Sequence, residues 1–160
     1  MDASTLLDLL AFIAPAYLAN ASPVILGGGV HMDFGRKLRD GKRILGDGKT
    51  WRGFFLGILA GTTCGFILGF PILGFLLSFG TLVGDTIGSF IKRRMDIGRG
   101  KQSVVLDQLT FLLVALAFAY PYLPAYVDGY GVLFLIVLTY FMHVFSNVLA
   151  HRLGLKKVPW

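Results

Sequence analysis

Five apolar segments, 6–26, 53–70, 72–91, 104–123 and 131–149, dominate this 160-residue chain, and every lysine and arginine lies outside them. Each approaches the roughly 20 residues that an α-helix needs to cross the hydrocarbon of a bilayer. Hydrophobic residues make up 55% and charged residues 15%, and the mean hydropathy is +0.70. A soluble domain carries about 25% charged residues, so an ordinary soluble globule is excluded. Disorder is excluded too, because it needs low hydrophobicity. The second and third segments are separated only by Pro71, which makes them a tight hairpin. Pro121, Pro124 and Asp128 mark the loop between the fourth and fifth.

The charges orient the chain. All 15 basic residues fall in three stretches: Arg36 to Arg52, Lys92 to Lys101, and Arg152 to Lys157. The ends and connections on the other side (residues 1–5, Pro71 and 124–130) have none. Five crossings put the three basic stretches on one side, and basic flanks mark the cytoplasmic side. The expected fold is an all-α integral membrane protein with five transmembrane helices. Its N-terminus is outside and its C-terminus cytoplasmic. It forms one domain over 1–160, with cytoplasmic loops at 27–52 and 92–103 and a tail at 150–160. No basic residue precedes the first apolar segment, which therefore reads as retained rather than as a cleaved signal.

Gly53, Gly57, Gly61, Gly65 and Gly69 recur every four residues, as do Gly80, Gly84 and Gly88. Such small-residue stripes let membrane helices touch backbone to backbone. The expectation is packing within the hairpin, with a homodimer interface as the alternative. Cys64 is the only cysteine, which excludes a disulfide framework and reads as a small packing residue.

Two cytoplasmic stretches hold the candidate chemistry. The first is Gly46-Asp47-Gly48-Lys49-Thr50-Trp51-Arg52-Gly53. It is not a phosphate-binding P-loop, because position 43 is Arg and no strand precedes it. It is a Gly-rich turn at a helix N-terminus, where backbone N–H groups and the helix dipole favour an anion. Lys49, Thr50 and Arg52 add phosphate ligands, and contact with lipid headgroups is the alternative. The second stretch runs from Gly84-Asp85 to Leu106-Asp107-Gln108-Leu109. An acid within an apolar helix marks a functional site. Asp85, Ser89 and Lys92 share a helix face, and Asp107 lies at similar depth on the next segment. Two carboxylates among basic residues suit Mg²⁺ completed by substrate phosphates, and so a metal–nucleotide or metal–pyrophosphate complex.

Leu45 to Gly53, Gly84-Asp85 with Ser89 to Arg94, Leu106 to Leu109, and the ending Asn147 … Val158-Pro159-Trp160 together resemble the CDP-archaeol synthase family over essentially the whole chain. That family is distantly similar to bacterial CDP-diacylglycerol synthases. This chain has Asp107-Gln108-Leu109-Thr110 where the bacterial pattern pairs two acids. The resemblance implies transfer of CMP from CTP to 2,3-di-O-geranylgeranylglyceryl phosphate, giving CDP-archaeol and pyrophosphate. In that reading Asp85 and Asp107 hold Mg²⁺. Lys92, Arg93 and Lys49 neutralise the triphosphate or the leaving group, and Thr50 and Arg52 are further phosphate contacts. Asp33 and Asp47 bond cytosine or ribose, or only balance their basic neighbours. Asn147, with His143 one turn away, lines the cavity or makes an interhelical bond. Asn20, Pro15 and Pro23 mark a kink in the first segment. The partners are CTP, the ether-lipid phosphate and membrane lipid, and the place is the cell membrane.

Two other readings compete. One keeps the fold and changes the acceptor to phosphatidic acid or another lipid phosphate. The other is a non-enzymatic transport or scaffold subunit, disfavoured because the charges cluster at one face rather than along a path. Nucleic-acid binding lacks any stacking platform or motif.

Overall fold

The computed structural model describes residues 2–97 and 103–155, with the side chains of Val104, Val105 and Asp107 outside the description. Arg99, Lys101, Lys156, Lys157 and Val158 to Trp160 therefore also lie outside it. Among the described residues five α-helices make up the fold: α1 (Ala3–Leu26), α2 (Trp51–Ile67), α3 (Pro71–Arg94), α4 (Val104–Ala119) and α5 (Gly129–Arg152). A 3-10 turn over Tyr120–Tyr122 extends α4. Among the described residues there is no strand beyond isolated bridges at His31–Thr50 and Lys37–Arg43.

Local chemistry sets the helix ends. Asp2 caps α1 by accepting from the Thr5 N–H, Thr50 caps α2 from Gly53, and Asp128 caps α5 from Gly131. These side chains satisfy N–H groups that have no partner inside the helix. Between α2 and α3, Gly69 takes φ +86°, a conformation open mainly to glycine. Pro71 then opens α3 at a position where its missing N–H costs nothing. Lys92, Arg93 and Arg94 close α3, where cations complement the helix dipole. Pro15 and Pro23 lie inside α1, which continues past both.

Three helices, α1, α3 and α5, are long and apolar enough to cross a membrane. At 24 residues each is about 36 Å long, against a hydrocarbon core of about 30 Å. The shorter α2, with 17 residues, reaches about 25 Å. The core gathers Leu9, Phe12 and Ile13 of α1, Leu77 of α3, Phe111, Leu112 and Ala115 of α4, and Leu135 of α5. Only 17% of the apolar window of α5 is buried, against 50% for α3. α5 therefore keeps most of its apolar surface for lipid. Tyr17 Oη and Thr139 Oγ1, 2.8 Å apart, join it to α1.

The glycine stripes, the exposed Gly69 apart, are buried within the chain, in an arrangement broader than a hairpin. Gly65 of α2 faces Gly74 of α3, with a Cβ on Gly65 falling 2.5 Å from the Gly74 Cα. Gly61 faces both Ser78 of α3 and the Pro15 carbonyl of α1, and Gly57 faces Leu82 and the Ala19 carbonyl. Gly80, Gly84 and Gly88 turn away from α2 and meet α4 instead. A Cβ on Gly84 would fall 2.5 Å from the Thr110 carbonyl oxygen and 2.6 Å from the Phe111 Cα. Those neighbours are backbone and cannot swing aside. Gly84→Ala should therefore lower stability by about 1–3 kcal/mol, the usual cost of overpacking. Gly129→Ala, with nothing within 4 Å, should stay within about 0.5 kcal/mol. Reversible unfolding in mixed micelles checks both.

Candidate active site

Residues 27–50 fold into a polar lobe at the end of the bundle where α1 stops, α2 starts and α3 finishes. Antiparallel backbone bonds close it: Met32 N–H to Lys49 O at 2.9 Å, Trp51 N–H to Val30 O at 3.1 Å, and Ile44 N–H to Arg36 O at 3.1 Å. Arg94 at the end of α3 clamps the lobe down. Its guanidinium donates to Asp40 Oδ2 at 2.6 Å and to the Arg43 carbonyl at 2.5 Å. Lys42 answers from the lobe with an ion pair to Asp96 at 2.7 Å.

Asp33 is the centre of this lobe. It is 5% exposed. Arg43 grips it with both arms, Nη2 to Oδ1 at 2.6 Å and Nε to Oδ2 at 3.1 Å. The N–H groups of Leu45, Gly46 and Gly35 each donate to it at 3.0 Å. Burial pushes this carboxyl up, but Arg43 and the N–H groups of Gly46, Leu45 and Gly35 outweigh it and hold it far below the usual carboxylate range. Its lone pairs are taken up inside the lobe, so Asp33 shapes the Gly46 turn rather than presenting itself to a ligand. Arg43 also donates to Asp47 at 2.7 Å. Both acids expected to meet nucleobase or ribose are thus engaged with one arginine.

Asp33 sets the path of the next residues. Gly46 turns through φ +92° and lies under the Arg93 guanidinium, with Nη1 3.5 Å from where a Cβ would stand. The chain then delivers Lys49 to Asp85 of α3, and Lys49 Nζ donates to Asp85 Oδ2. This pair sits in a small open cleft lined also by Pro23, Gly48, Thr50 and Thr86. Thr50 Oγ1 accepts from Gly53 and Gly28, both at 3.2 Å. It is therefore a cap first, with its own hydroxyl proton left to offer. Side chains from α1, the lobe, α2 and α3 meet at this one place.

The remaining candidates are not among the described residues that line the cleft. Ser89 and Lys92 are half-buried on α3, one and two turns beyond Asp85, and Arg52 is exposed on the first turn of α2. Arg93 has a buried Nε without a partner, so its charge is directed at the Gly46 turn. Asp107 is in the first turn of α4, and its side chain lies outside the described residues. Asn147 is 7% exposed on α5, with Nδ2 3.2 Å from Nδ1 of His143 on the same helix. Among the described residues no three His, Cys, Asp or Glu side chains form a metal cluster. A cation held by protein here would depend on one or two carboxylates and on phosphate oxygens, which is the habit of Mg²⁺. Arg43 and Arg94 were not foreseen as organising residues. The only local signal was their membership of basic runs, since neither the Asp33–Arg43 nor the Asp40–Arg94 spacing fits a helix or turn.

The Asp33 carboxylate ionises more readily folded than unfolded. Its stabilisation is complete above the ordinary aspartate value of about 3.9 and is lost as pH falls through the lowered folded value. Asp33→Asn should cut the hydrogen-exchange protection factors of Leu45 and Gly46 by about 10- to 100-fold, the scale of one hydrogen bond to a charged group. Asp47→Asn should leave them unchanged. In the unsubstituted protein the same loss should appear only below about pH 4.

Known proteins resemble this chain over most of its length. The family model described as "CarS-like: CDP-archaeol synthase" matches residues 3–160. The CDP-archaeol synthase of Pyrococcus horikoshii is 53% identical over a 172-residue alignment that covers 100% of both chains. That of Pyrococcus abyssi is 55% identical, covering 93% of this chain and 95% of the relative. The Methanocaldococcus jannaschii protein is 44% identical, covering 93% and 94%. A solved structure of an intramembrane enzyme for archaeal membrane lipids biosynthesis superposes with a TM-score of 0.80 at 33% identity, covering 89% of this chain and 94% of that one. Apolar helices long enough to span a bilayer, a cation-rich lobe over one end of them and matches of this extent lead to one conclusion: the chain is a membrane protein of the CDP-archaeol synthase family.

Proposed function

We propose that this chain transfers CMP from CTP to the phosphate of a 2,3-di-O-geranylgeranylglyceryl lipid, forming CDP-archaeol and pyrophosphate. The observation that carries the reading is the Lys49–Asp85 pair in a cleft at the polar end of an apolar bundle. A nucleotide reaches such a cleft from water and a lipid phosphate reaches it from the membrane. An oxygen of the lipid phosphate attacks the α-phosphorus of CTP. The new P–O bond forms as the bond to the bridging oxygen breaks, and pyrophosphate departs with that electron pair. A phosphate monoester is largely dianionic at neutral pH, its second pKa being about 6. No general base is needed.

Catalysis then rests on positioning and charge neutralisation. Lys49, Arg93, Lys92 and Arg52 surround the cleft with positive charge for the triphosphate, and Thr50 and Ser89 offer hydroxyl protons to phosphate oxygens. Asp85 presents a hard oxygen donor of the kind Mg²⁺ takes, and Asp107 is the second carboxylate proposed for it. A divalent cation there would neutralise phosphate charge as a Lewis acid. Lys49 is placed to leave Asp85 for a phosphate oxygen when substrate enters. Asp33, Asp47 and Asn147 support the site from the lobe and from α5.

We read all five helices as crossing the cell membrane, with the lobe and the active site on the cytoplasmic side. The one-sided basic residues support this orientation. So do Tyr120, Tyr122 and Tyr130 at the opposite end, exposed where aromatic rings favour the interface. In a Cys64→Ala background, Ser4→Cys should react with an impermeant maleimide in intact cells. Arg36→Cys should react only after lysis.

Turnover tests the reaction. Purified protein in liposomes with Mg²⁺, CTP and the geranylgeranyl ether-lipid phosphate should release pyrophosphate and form a CDP-lipid, and other NTPs should not replace CTP. EDTA should stop the reaction and Mg²⁺ restore it. Asp85→Asn should lower kcat/KM by about 1000-fold or more, the equivalent of several kcal/mol of lost charge stabilisation, while the protein stays folded. Full activity in that variant would remove Asp85 from the chemistry.

A further inference from the structure

Among the described residues three helix side chains inside the bundle, Thr62, Thr81 and Gln108, hold a buried polar atom without a hydrogen-bond partner. Gln108 of α4 is 2% exposed and Thr81 of α3 is 0% exposed. Gln108 Nε2 and Thr81 Oγ1 are both buried without a hydrogen-bond partner. Neighbouring hydroxyls avoid that state. Ser78, Thr86 and Thr110 return their protons to the carbonyl one turn back at 2.6, 2.8 and 2.5 Å. Native proteins leave few such groups unmet, and each one calls for an explanation.

Their positions supply it. Gly84 is seated against Thr110 and Phe111, and Gly88 against the Leu106 carbonyl. Residues 84–88 of α3 therefore run alongside 106–111 of α4, and Gln108 lies at the depth of Asp85. It belongs to the buried stripe of α4 that continues through Phe111, Leu112 and Ala115, at the polar end of that stripe. Thr81 is one turn below Asp85 on the same face of α3. An amide with two N–H donors thus lies inside the bundle, near the depth of Asp85.

We propose that Gln108 is a specificity-determining residue whose amide N–H groups hold the phosphate of the acceptor lipid. The inference rests on the lipid-phosphate reading above. The cations suited to a triphosphate, Lys49, Arg52 and Arg93, come from the lobe, the first turn of α2 and the end of α3. Gln108 instead comes from an apolar face of α4, an element that brings none of those cations. A neutral donor suits that place, because hydrogen bonds to a charged phosphate are strong and the empty site keeps no unpaired buried charge.

The test compares Gln108→Leu and Gln108→Glu with the unsubstituted protein. Leu removes the donors at similar volume and Glu places a carboxylate against the phosphate. The KM for lipid phosphate should rise by about tenfold or more in Gln108→Leu and further in Gln108→Glu, with the KM for CTP within about twofold. Thermal stability of Gln108→Leu should be unchanged or higher, because an unmet buried donor has been removed. A binding arm needs no turnover. The unsubstituted protein in detergent should prefer digeranylgeranylglyceryl phosphate over the corresponding alcohol by about tenfold or more, and Gln108→Leu should lose that preference. A rise in the KM for CTP alone would move the donor to the nucleotide and overturn the assignment. An unchanged phosphate preference, or a fall in stability with both KM values unmoved, would overturn it too. Absence of product from the unsubstituted protein, with the phosphate preference intact, would sink the proposed reaction and leave the Gln108 assignment standing.

Discussion

Backbone contact at glycine is the constraint on which this architecture depends. Lipid is as apolar as the helix surfaces, so burial of apolar area does little to drive membrane helices together. Close van der Waals contact has to do it, and small residues permit that contact. Here α3 is held from two sides at once, by Gly61 and Gly65 of α2 and by the α4 backbone against Gly80, Gly84 and Gly88. A helix so held has little freedom to rotate, and one residue of register is about 100° of rotation. Asp85, next to Gly84, inherits that fixity. The glycine stripes contribute no chemistry themselves, yet they set the direction of the carboxylate on which the proposed chemistry rests.

The polar lobe is held by a different means. It has no apolar core, and its residues 34–41 are exposed. Its order comes from charge. Asp33 gathers five donors, Arg43 links Asp33 to Asp47, and Arg94 and Lys42 tie the lobe to the end of α3. Several of the basic residues that make this end of the molecule positive are therefore structural. The same residue type serves two purposes, and contact separates them. Arg43, Lys42 and Arg94 have carboxylates of their own, whereas Arg93 points at the Gly46 turn and has no carboxylate partner among the described residues. Lys49 pairs with Asp85, the one carboxylate among the described residues that line the cleft.

Much of this was legible in the amino-acid order. The all-helical membrane class follows from runs of apolar residues, and the polar end follows from where the lysines and arginines stop. Asp85 stood out because an acid inside an apolar helix is costly. Other features have no one-dimensional signature. The stripe Gly80, Gly84 and Gly88 announces a close contact without naming its partner, and the hairpin with α2 was the natural expectation, whereas the partner is α4. Asp33 and Arg43 are ten residues apart in a segment with no period, so nothing local reveals the buried pair. Gln108 is subtler. A single amide at the end of an apolar stripe reads as a helix-end residue until its burial and its missing partner are seen together.

The Lys49–Asp85 pair links these levels. A carboxylate and an ammonium in a half-buried cleft stabilise each other more than they would in water, so the site keeps both charges in place before any substrate arrives. Each is also what a substrate needs: a hard oxygen for a cation, and a cation for a phosphate. Entry of a charged phosphate therefore exchanges one neutralised arrangement for another, rather than forcing the bundle to expose a bare charge. Such preorganisation, with the dipoles and charges already aimed, is the usual source of catalytic power in charge-neutralising reactions. It requires that Lys49 and Asp85 be brought in by separate elements, one from a lobe braced by Asp33 and one from a helix locked by glycine.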